Sequence, residues 1–342
     1  MNVAYHCSDS FAPVLGTSIT SLFENNRKMD EIHVYVIEEG ISESNKSKLN
    51  DLANMYGRYI HFIQMPDVNK EQNLGLKKVR ADWIFNSYCR LFLDCILPAE
   101  VDRVLYLDSD VLIVGDLSDL WSLDMGEYCV AGVKDCLGKK YYELLGLNDN
   151  ANYCNSGVML QNLQLWRSKN IGDRIREYVS KNGGYVFFME QTVYNAVFQG
   201  QILILPPRYN TYTIMQCLSY NEMIRLRKPY DYYSREEVED AVVNHKILHL
   251  TNTFLITNRA WYDDTNHPEK ETFRYYKSLS PWCDEPAFED NRNFKKKIIQ
   301  NVVDILPKGF VIVFSELIYN TVRIYNIKRL QMKYKKKSGN QG

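Results

Sequence analysis

The chain has 342 residues, enough for one large α/β domain with an appendage or for two domains. Hydrophobic residues make up 45% and charged residues 24% of the chain, which excludes a globally disordered or low-complexity protein. The net charge of −1 argues against a nucleic-acid-binding protein, and no apolar run approaches the length of about 18 residues that a membrane span needs.

Strand and helix patterns alternate from the N-terminus. Apolar runs predict strands over residues 3–7, 31–37 and 60–65, and helical spacing predicts helices over 14–24 and 42–56, the second capped by Ser42. A helix is expected over 83–96 and a strand over 103–110. Three more strands follow at 158–161, 201–205 and 242–250, with helices near 163–166 and 171–180. This alternation predicts an α/β fold with a mostly parallel central sheet and helices on both faces.

The sequence RVLYLDSDVLIVGDL over residues 103–117 places Asp108 and Asp110 at the end of an apolar strand. Open α/β sheets bind ligands at the carboxyl edge of their strands. Side chains at i and i+2 leave a strand on one side, and a modest kink brings both carboxylates to one cation. The motif therefore predicts a Mn²⁺ or Mg²⁺ site, and the structural alternative is a solvated strand end.

Two enzyme classes carry such a motif after an apolar strand. In phosphatases of the haloacid dehalogenase type, the first aspartate is a nucleophile and the second a general acid, so Asp108 and Asp110 could have these roles. Those enzymes usually have the motif on their first strand, whereas here about 100 residues of α/β sequence precede it. The second class is the nucleotide-sugar glycosyltransferases, which share a divalent ion between the protein and the donor phosphates.

Seven segments in consistent order make residues 1–262 resemble glycosyltransferase family 8, the retaining group that includes bacterial lipopolysaccharide galactosyltransferases. The segments are VAYHCSDSFA, IHVYVIEEGISESNKSKL, SYCRLFLDCILP, RVLYLDSDVLIVGDLSDLW, YCNSGVMLQNLQLW, MEQTVYNAVF and ILHLTN followed by RAW. The resemblance implies the GT-A nucleotide-diphospho-sugar transferase fold. It also implies metal-dependent, retaining transfer of glucose or galactose from a UDP-sugar to a saccharide acceptor in surface polysaccharide or lipopolysaccharide synthesis.

The resemblance further implies the residues of the site. The metal ligands would be Asp108, Asp110 and His249. The catalytic residues around the donor sugar would be Arg90, Asn155, Glu190 and Gln191. The nucleotide-sugar contacts would be His6, Ser8, Ser10, Arg90, Asp108, Ser109, Asn155, Asn252 and Arg259, the last at the position of a diphosphate-binding lysine. The amide of Gln191 is a weak nucleophile, so retention in the family is often written as front-face attack, which the sequence leaves open.

This chain departs from the family at three places. Ser8 stands where the uridine turn often has an acid, and Glu190-Gln191-Thr192 replaces Asp-Gln-Asp. In the closing motif Asn252 replaces a glycine, and Arg259 follows His249 by ten residues, so the loop is longer. These departures leave open a nucleotide-sugar-binding protein with little turnover.

Several of these residues also have ordinary structural explanations. His249 could be a buried structural histidine, Asn155 could belong to the turn before Ser156 and Gly157, and Glu190 with Gln191 could simply begin a helix. For His249, the position in the family order favours the functional interpretation over the structural one.

The two ends of the chain differ strongly in charge. Residues 291–342 contain 12 Lys and Arg and two acids, a net charge of +10, whereas residues 1–290 have a net charge of −11. The basic segment also carries the apolar residues 310–314, which predicts an interfacial helix on an anionic membrane, near a lipid-linked saccharide acceptor. The alternative is a helix that packs on the body, followed by a solvated tail.

We predict a catalytic domain over residues 1–265 and a helical, basic segment over 266–342. Eight cysteines without a CxxC pair are typical of buried thiols in a reducing compartment. The N-terminus has no basic region followed by an apolar stretch. Both features predict a cytoplasmic protein, with the basic segment suggesting peripheral contact with the inner face of the cell membrane.

Overall fold

The computed structural model describes residues 1–79, 85–148, 151–256, 258–290 and 292–339, the side chains of 335–339 excepted. The strands in these ranges are β1 (Asn2–Ser8), β2 (His33–Glu39), β3 (Tyr59–Gln64), β4 (Arg103–Leu107), β5 (Val111–Ile113), β6 (Val130–Lys134), β7 (Cys154–Asn162), β8 (Ile202–Ile204), β9 (Thr211–Tyr212) and β10 (Ile247–His249).

The helices before residue 200 are α1 (Ala12–Asn25), α2 (Glu43–Tyr56), α3 (Val68–Glu71), α4 (Leu93–Ile96), α5 (Ser118–Trp121), α6 (Lys139–Leu145), α7 (Leu163–Ser168), α8 (Ile171–Lys181) and α9 (Met189–Val197). Those after it are α10 (Thr213–Cys217), α11 (Tyr220–Arg227), α12 (Arg235–Val243), α13 (Lys270–Ser278), α14 (Phe294–Ile305), α15 (Lys308–Leu317) and α16 (Arg323–Gly339). Ser42 caps α2 as predicted, accepting a hydrogen bond from the Asn45 amide.

A seven-stranded sheet with the order β3-β2-β1-β4-β7-β6-β8 forms the centre of the molecule. Its strands run parallel except β7, which is antiparallel to both β4 and β6. A second, three-stranded sheet has the order β5-β10-β9, and β10 pairs antiparallel with β5 and parallel with β9. The prediction of a mostly parallel α/β sheet is confirmed.

Both faces of the central sheet are buried except along the edge strand β3, which explains the near-continuous apolar sequence of its inner strands. On β2, Val34 and Val36 pack in the core that contains α1 and α2. The alternate residues Tyr35 and Ile37 pack in a second core on the opposite face, which α7, α8 and α9 cover. Successive side chains of a strand point to opposite faces, so one strand supplies both cores.

Two predicted elements differ from the structure. The strand predicted over 242–250 is wrong in its first half, because Val242 and Val243 end helix α12 and β10 covers only Ile247–His249. The helix predicted over 83–96 is a 3-10 turn at Asn86–Leu91 followed by the short α4, and its residues 83 and 84 lie outside the described ranges. In both cases an apolar run fitted either type of element, and tertiary packing decided between them.

The chain after residue 265 packs against the body at several places. Helix α13 lies on α1, where the side-chain amide of Asn25 donates to the Tyr276 hydroxyl at 2.7 Å. Trp282 is fully buried in the core around α1. Helix α15 packs on α11 and α16 on α6. Within the described residues, no helix is both long and apolar enough to span a membrane.

Candidate functional site

One edge of the central sheet collects most of the predicted site residues. Strands β1 and β4 are parallel neighbours, so His6 and Ser8 lie at the same edge as Asp108. Because β7 runs the other way, its first residues lie at this edge too, and the Asp108 amide donates to the Gly157 carbonyl at 2.8 Å. The topology thus joins segments that are far apart in the sequence.

Asp108, Asp110 and His249 form a compact cluster. Each offers one ligand atom, and the three atoms lie within 4.8 Å of one another. His249 Nε2 is 3.2 Å from Asp110 Oδ1 and 3.8 Å from Asp108 Oδ2. The short strand β10 places His249 directly opposite Val111, next to Asp110, in the antiparallel register with β5.

The chemistry of this cluster fits a divalent cation. Two carboxylates and one imidazole can bind such an ion and leave coordination positions open for further ligands. Gly157 keeps the space beside the cluster open: a Cβ there would lie 2.3 Å from His249 Cε1 and 2.9 Å from Asp108 Oδ2. Among the described residues, this is the one group of three or more His, Cys, Asp or Glu side chains with metal-binding geometry.

Two arginines flank the cluster. Arg259 Nη1 donates to Asp110 Oδ2 at 2.8 Å and to the Leu250 carbonyl at 2.8 Å. Arg90 Nη2 lies 2.7 Å from Asp108 Oδ1, and its guanidinium stacks over the Tyr106 ring at 4.5 Å. Each aspartate is thus paired with its own arginine, Asp108 with Arg90 and Asp110 with Arg259, in addition to its contact with His249.

Burial acts to raise the pKa of the Asp110 carboxyl, but His249 and then Arg259 hold it below its usual range. For His249, burial acts to lower the pKa, and the neighbouring carboxylate of Asp110 outweighs it and raises the pKa. Both pKa shifts have the same main cause, the close contact between the Asp110 carboxylate and the His249 ring.

The predicted sugar-contacting residues meet around Arg90. Its Nη1 donates to the Ser156 carbonyl at 2.9 Å and lies 3.7 Å from Glu190 Oε1. The other oxygen of Glu190, in the first turn of α9, accepts from the Ser87 hydroxyl at 2.7 Å. The carboxylate of Glu190 is therefore held by both Ser87 and Arg90.

Gln191 is held from both ends of its amide. Its Nε2 donates to Asp135 Oδ2 at 3.0 Å, and its Oε1 accepts from the Ser156 backbone amide at 3.2 Å. Asn155 Nδ2 also approaches Gln191 Oε1, at 3.5 Å. The side chain is therefore oriented within the site by fixed partners.

The predicted uridine-side residues are less closely joined. His6 pairs with Glu39, and the Ser109 hydroxyl donates to the His6 carbonyl at 2.8 Å, which links β1 to the aspartate motif. Ser8 precedes the 3-10 turn Asp9–Phe11, in which Ser10 is exposed. Asn252 is exposed in the loop after β10 and lies in no described hydrogen bond of the cluster.

The sequence analysis missed four residues of this network: Ser87, Asp135, Ser156 and Asn210. Asp135 directly follows β6, so an apolar strand ending in an acid, as in the Asp108 motif, could have identified it. Asn210 carries no such signal, because only the pairing of β9 with β10 brings it to His249.

The chain resembles known proteins in its family pattern, its sequence and its fold. Residues 2–254 match the model of glycosyl transferase family 8. General stress protein A of Bacillus subtilis is 27% identical over 286 residues, which are 82% of this chain and 94% of that protein. Lipopolysaccharide 1,2-glucosyltransferase of Escherichia coli K12 is 27% identical over 316 residues, 88% of this chain and 86% of that one.

Among solved structures, galactosyltransferase LgtC in complex with donor and acceptor sugar analogs superposes with a TM-score of 0.67 at 22% identity. The match covers 87% of this chain and 100% of LgtC. At this identity the likeness establishes the fold.

Proposed function

Since the chain belongs to glycosyl transferase family 8 and is a retaining hexosyltransferase of the GT-A fold, we propose that its donor is a UDP-sugar and its acceptor a saccharide. The observation that carries this proposal is the cluster of Asp108, Asp110 and His249 between Arg90 and Arg259. The family match leaves the phosphatase interpretation of the two aspartates without support.

We assign Asp108, Asp110 and His249 as the ligands of Mn²⁺ or Mg²⁺. When bound, such an ion stabilises the negative charge that develops on the leaving diphosphate, without transferring a proton. Arg259 adds a fixed positive charge on the same side, as its contact with Asp110 supports. Arg90 offsets the charge of Asp108 and orients Ser156 beside the donor sugar.

On the sugar side, we assign Asn155, Glu190 and Gln191 to the donor pocket. Gln191 is held by Asp135 and Ser156, so its role would be to position the sugar and shield its anomeric carbon. His6, Ser8, Ser10 and Ser109 would line the uridine side, and Asn252 would lie on the loop that covers the donor.

A panel of UDP-sugars with Mn²⁺ tests this function. The enzyme should release UDP slowly from one hexose donor, UDP-glucose or UDP-galactose, and faster when a saccharide acceptor is added. EDTA should stop the release and Mn²⁺ should restore it. A donor that binds and is never consumed would instead support a nucleotide-sugar-binding protein with little turnover.

The C-terminal segment supports a second part of the proposal, contact with an anionic membrane at the inner face of the cell. Helix α15 buries Val311 and Ile312 against the body, but Phe310 and Phe314 on it remain 61% and 56% exposed. Ile305, at the end of α14, is 82% exposed. A net charge of +10 around such apolar side chains matches an anionic lipid surface, where a lipid-linked saccharide acceptor would also be found.

A further inference from the structure

A chain of hydrogen bonds behind the metal-type cluster joins His249 to the sugar-side residue Asn155. The link is Asn210, whose side chain is completely buried. Its Oδ1 lies 3.1 Å from His249 Nδ1, and its Nδ2 donates to Asn155 Oδ1 at 3.0 Å. Asn155 Oδ1 also accepts from the backbone amide of Gly157 at 2.9 Å.

One backbone amide determines which atom donates and which accepts in each of these hydrogen bonds. The Gly157 amide can only donate, so the atom of Asn155 facing it must be the carbonyl oxygen. Asn210 must then turn its amide nitrogen toward this oxygen, because two acceptor oxygens 3.0 Å apart would repel each other. The remaining atom of Asn210 is its oxygen, which only accepts, so His249 must carry a hydrogen on Nδ1.

The fixed tautomer leaves a lone pair on His249 Nε2, and that nitrogen faces Asp110 Oδ1 at 3.2 Å. An imidazole lone pair and a carboxylate oxygen repel each other unless a proton or a metal cation lies between them. Metal-bound histidines commonly donate their second ring N–H to an oxygen that fixes the ring orientation. The arrangement around Asn210 has this form.

We infer that Asn210 is a positioning residue with two functions: it fixes the His249 tautomer that binds the metal through Nε2, and it connects the metal site to the donor-sugar residue Asn155. This inference deepens the proposed function and rests on its assignment of His249 as a metal ligand. The connection gives one reason for the complete burial of a polar side chain, since an amide with both ends paired can be buried at low cost.

The tautomer can be measured directly on the wild-type protein. ¹⁵N-histidine spectra of the metal-free protein should show a hydrogen on Nδ1 of this residue, whether or not Nε2 is also protonated. The His249→Gln variant assigns the resonance. A His249 resonance with a hydrogen on Nε2 and none on Nδ1 would overturn the inference, and this measurement requires neither metal binding nor turnover.

Mn²⁺ binding, followed by the EPR signal of the free ion, tests the effect on the metal. Asn210→Leu should weaken binding by about 10- to 100-fold, the usual effect of losing the partner of a metal ligand. Asn210→Asp keeps an oxygen for His249 Nδ1–H and should retain Mn²⁺ affinity. It loses the donor to Asn155, so its KM for the UDP-sugar should rise while its Mn²⁺ affinity does not change.

Asn26→Leu is the matched control. Asn26 is also completely buried, at the end of α1, and its side chain bonds the backbone groups of Leu22 and Leu117. This variant should lose stability and keep wild-type Mn²⁺ affinity. Wild-type affinity in folded Asn210→Leu would overturn the inference, whereas a wild-type protein that binds no Mn²⁺ would instead contradict the proposed metal site.

Discussion

Asp110 contacts both His249 and Arg259, so its charge holds two cationic side chains in the site. Asp110→Asn keeps the shape of the side chain but removes an anionic metal ligand. We expect UDP release with Mn²⁺ to fall by at least about 100-fold, since a bound metal supplies several kcal/mol of charge stabilisation. The measurement is the initial rate of UDP release at saturating UDP-sugar.

Asp102→Asn is the matched control for this change. Asp102 precedes β4 at its opposite end, and its side chain is 65% exposed. The control should keep wild-type rates and wild-type dependence on Mn²⁺. Full activity of Asp110→Asn, or undiminished wild-type turnover in EDTA, would contradict the metal-dependent mechanism.

Glu190 is the residue that most clearly distinguishes this donor pocket from the usual family sequence. Its carboxylate is bound by Ser87 and lies beside Arg90. Glu190→Asp shortens the side chain and withdraws the carboxylate from these partners. We expect donor preference or kcat to change more than the affinity for UDP, measured by calorimetry and by rates with UDP-glucose and UDP-galactose.

Ser87→Ala serves as the control for Glu190, because it removes one hydrogen bond and leaves the carboxylate in place. It should have a smaller effect than Glu190→Asp on donor preference. If Glu190→Ala alters neither the rate nor the preference, the residue is only a favourable acid in the first turn of α9.

At the level of elements, the fourth residue of β7, Gly157, must have no side chain. A Cβ on Gly157 would lie 2.3 Å from His249 Cε1. Gly157→Ala should therefore displace His249 and weaken Mn²⁺ binding by at least about tenfold, the scale seen when the support of a metal ligand is altered. The EPR titration of Mn²⁺, with a thermal melt to verify folding, measures this.

Gly132→Ala on the neighbouring strand β6 is the control. Its added Cβ would lie 3.2 Å from the Tyr194 hydroxyl and 3.4 Å from Cys154 Cβ, and none of its three nearest atoms belongs to a metal ligand. The variant should change stability and retain Mn²⁺ affinity. Equal Mn²⁺ affinity of Gly157→Ala and the wild type would show that the ligand cluster can shift without loss.

The long apolar strands could be predicted from the sequence because their continuous apolar residues match the burial of both strand faces in the fold. The runs that became β1, β2 and β4 are apolar on both faces, as a doubly covered sheet requires. Strand β10 has only three residues and is stabilised by its pairing with β5 and β9. The apolar residues that precede it therefore did not show where α12 ends and β10 begins.

The same contrast holds in the candidate site. Asp108, Asp110 and His249 could be predicted from the strand-end motif and from the family order of the segments. Asp135 ends an apolar strand as Asp108 does, but no local pattern shows that these two strand ends meet, and the isolated amide of Asn210 has no local signature at all. Their positions depend on strand pairings between residues distant in the sequence, which only the assembled sheet provides.

For the whole molecule, the main testable property is membrane binding by the segment after residue 291. Phe314→Asp should reduce co-sedimentation with anionic vesicles at every salt concentration, because it removes apolar burial. Replacing Lys335, Lys336 and Lys337 with Gln should reduce it mainly at low salt. Each cation near the surface contributes about 1 kcal/mol, and salt screens this attraction over about 8–10 Å.

Val243→Asp is the control, since Val243 is an apolar residue on α12 of the body that is 76% exposed. It should not alter vesicle binding. Full-length protein that stays in the supernatant with anionic vesicles would contradict the membrane proposal. Concentration-dependent dimerisation abolished by Phe314→Asp would identify a second copy of the chain as the partner instead.

The burial of Trp282 beside Gly16 has a consequence for synthesis of the chain. Because Gly16 has no side chain, α1 leaves a space that the Trp282 ring occupies, and a Cβ on Gly16 would lie 2.1 Å from that ring. Trp282 is synthesised more than 250 residues after α1. A nascent chain folds from its N-terminus as it emerges, and α1 must therefore wait for Trp282 before its core closes. The basic segment after residue 291 leaves the ribosome only afterwards, so the core around α1 can close before the exposed apolar side chains of α14 and α15 are available to aggregate.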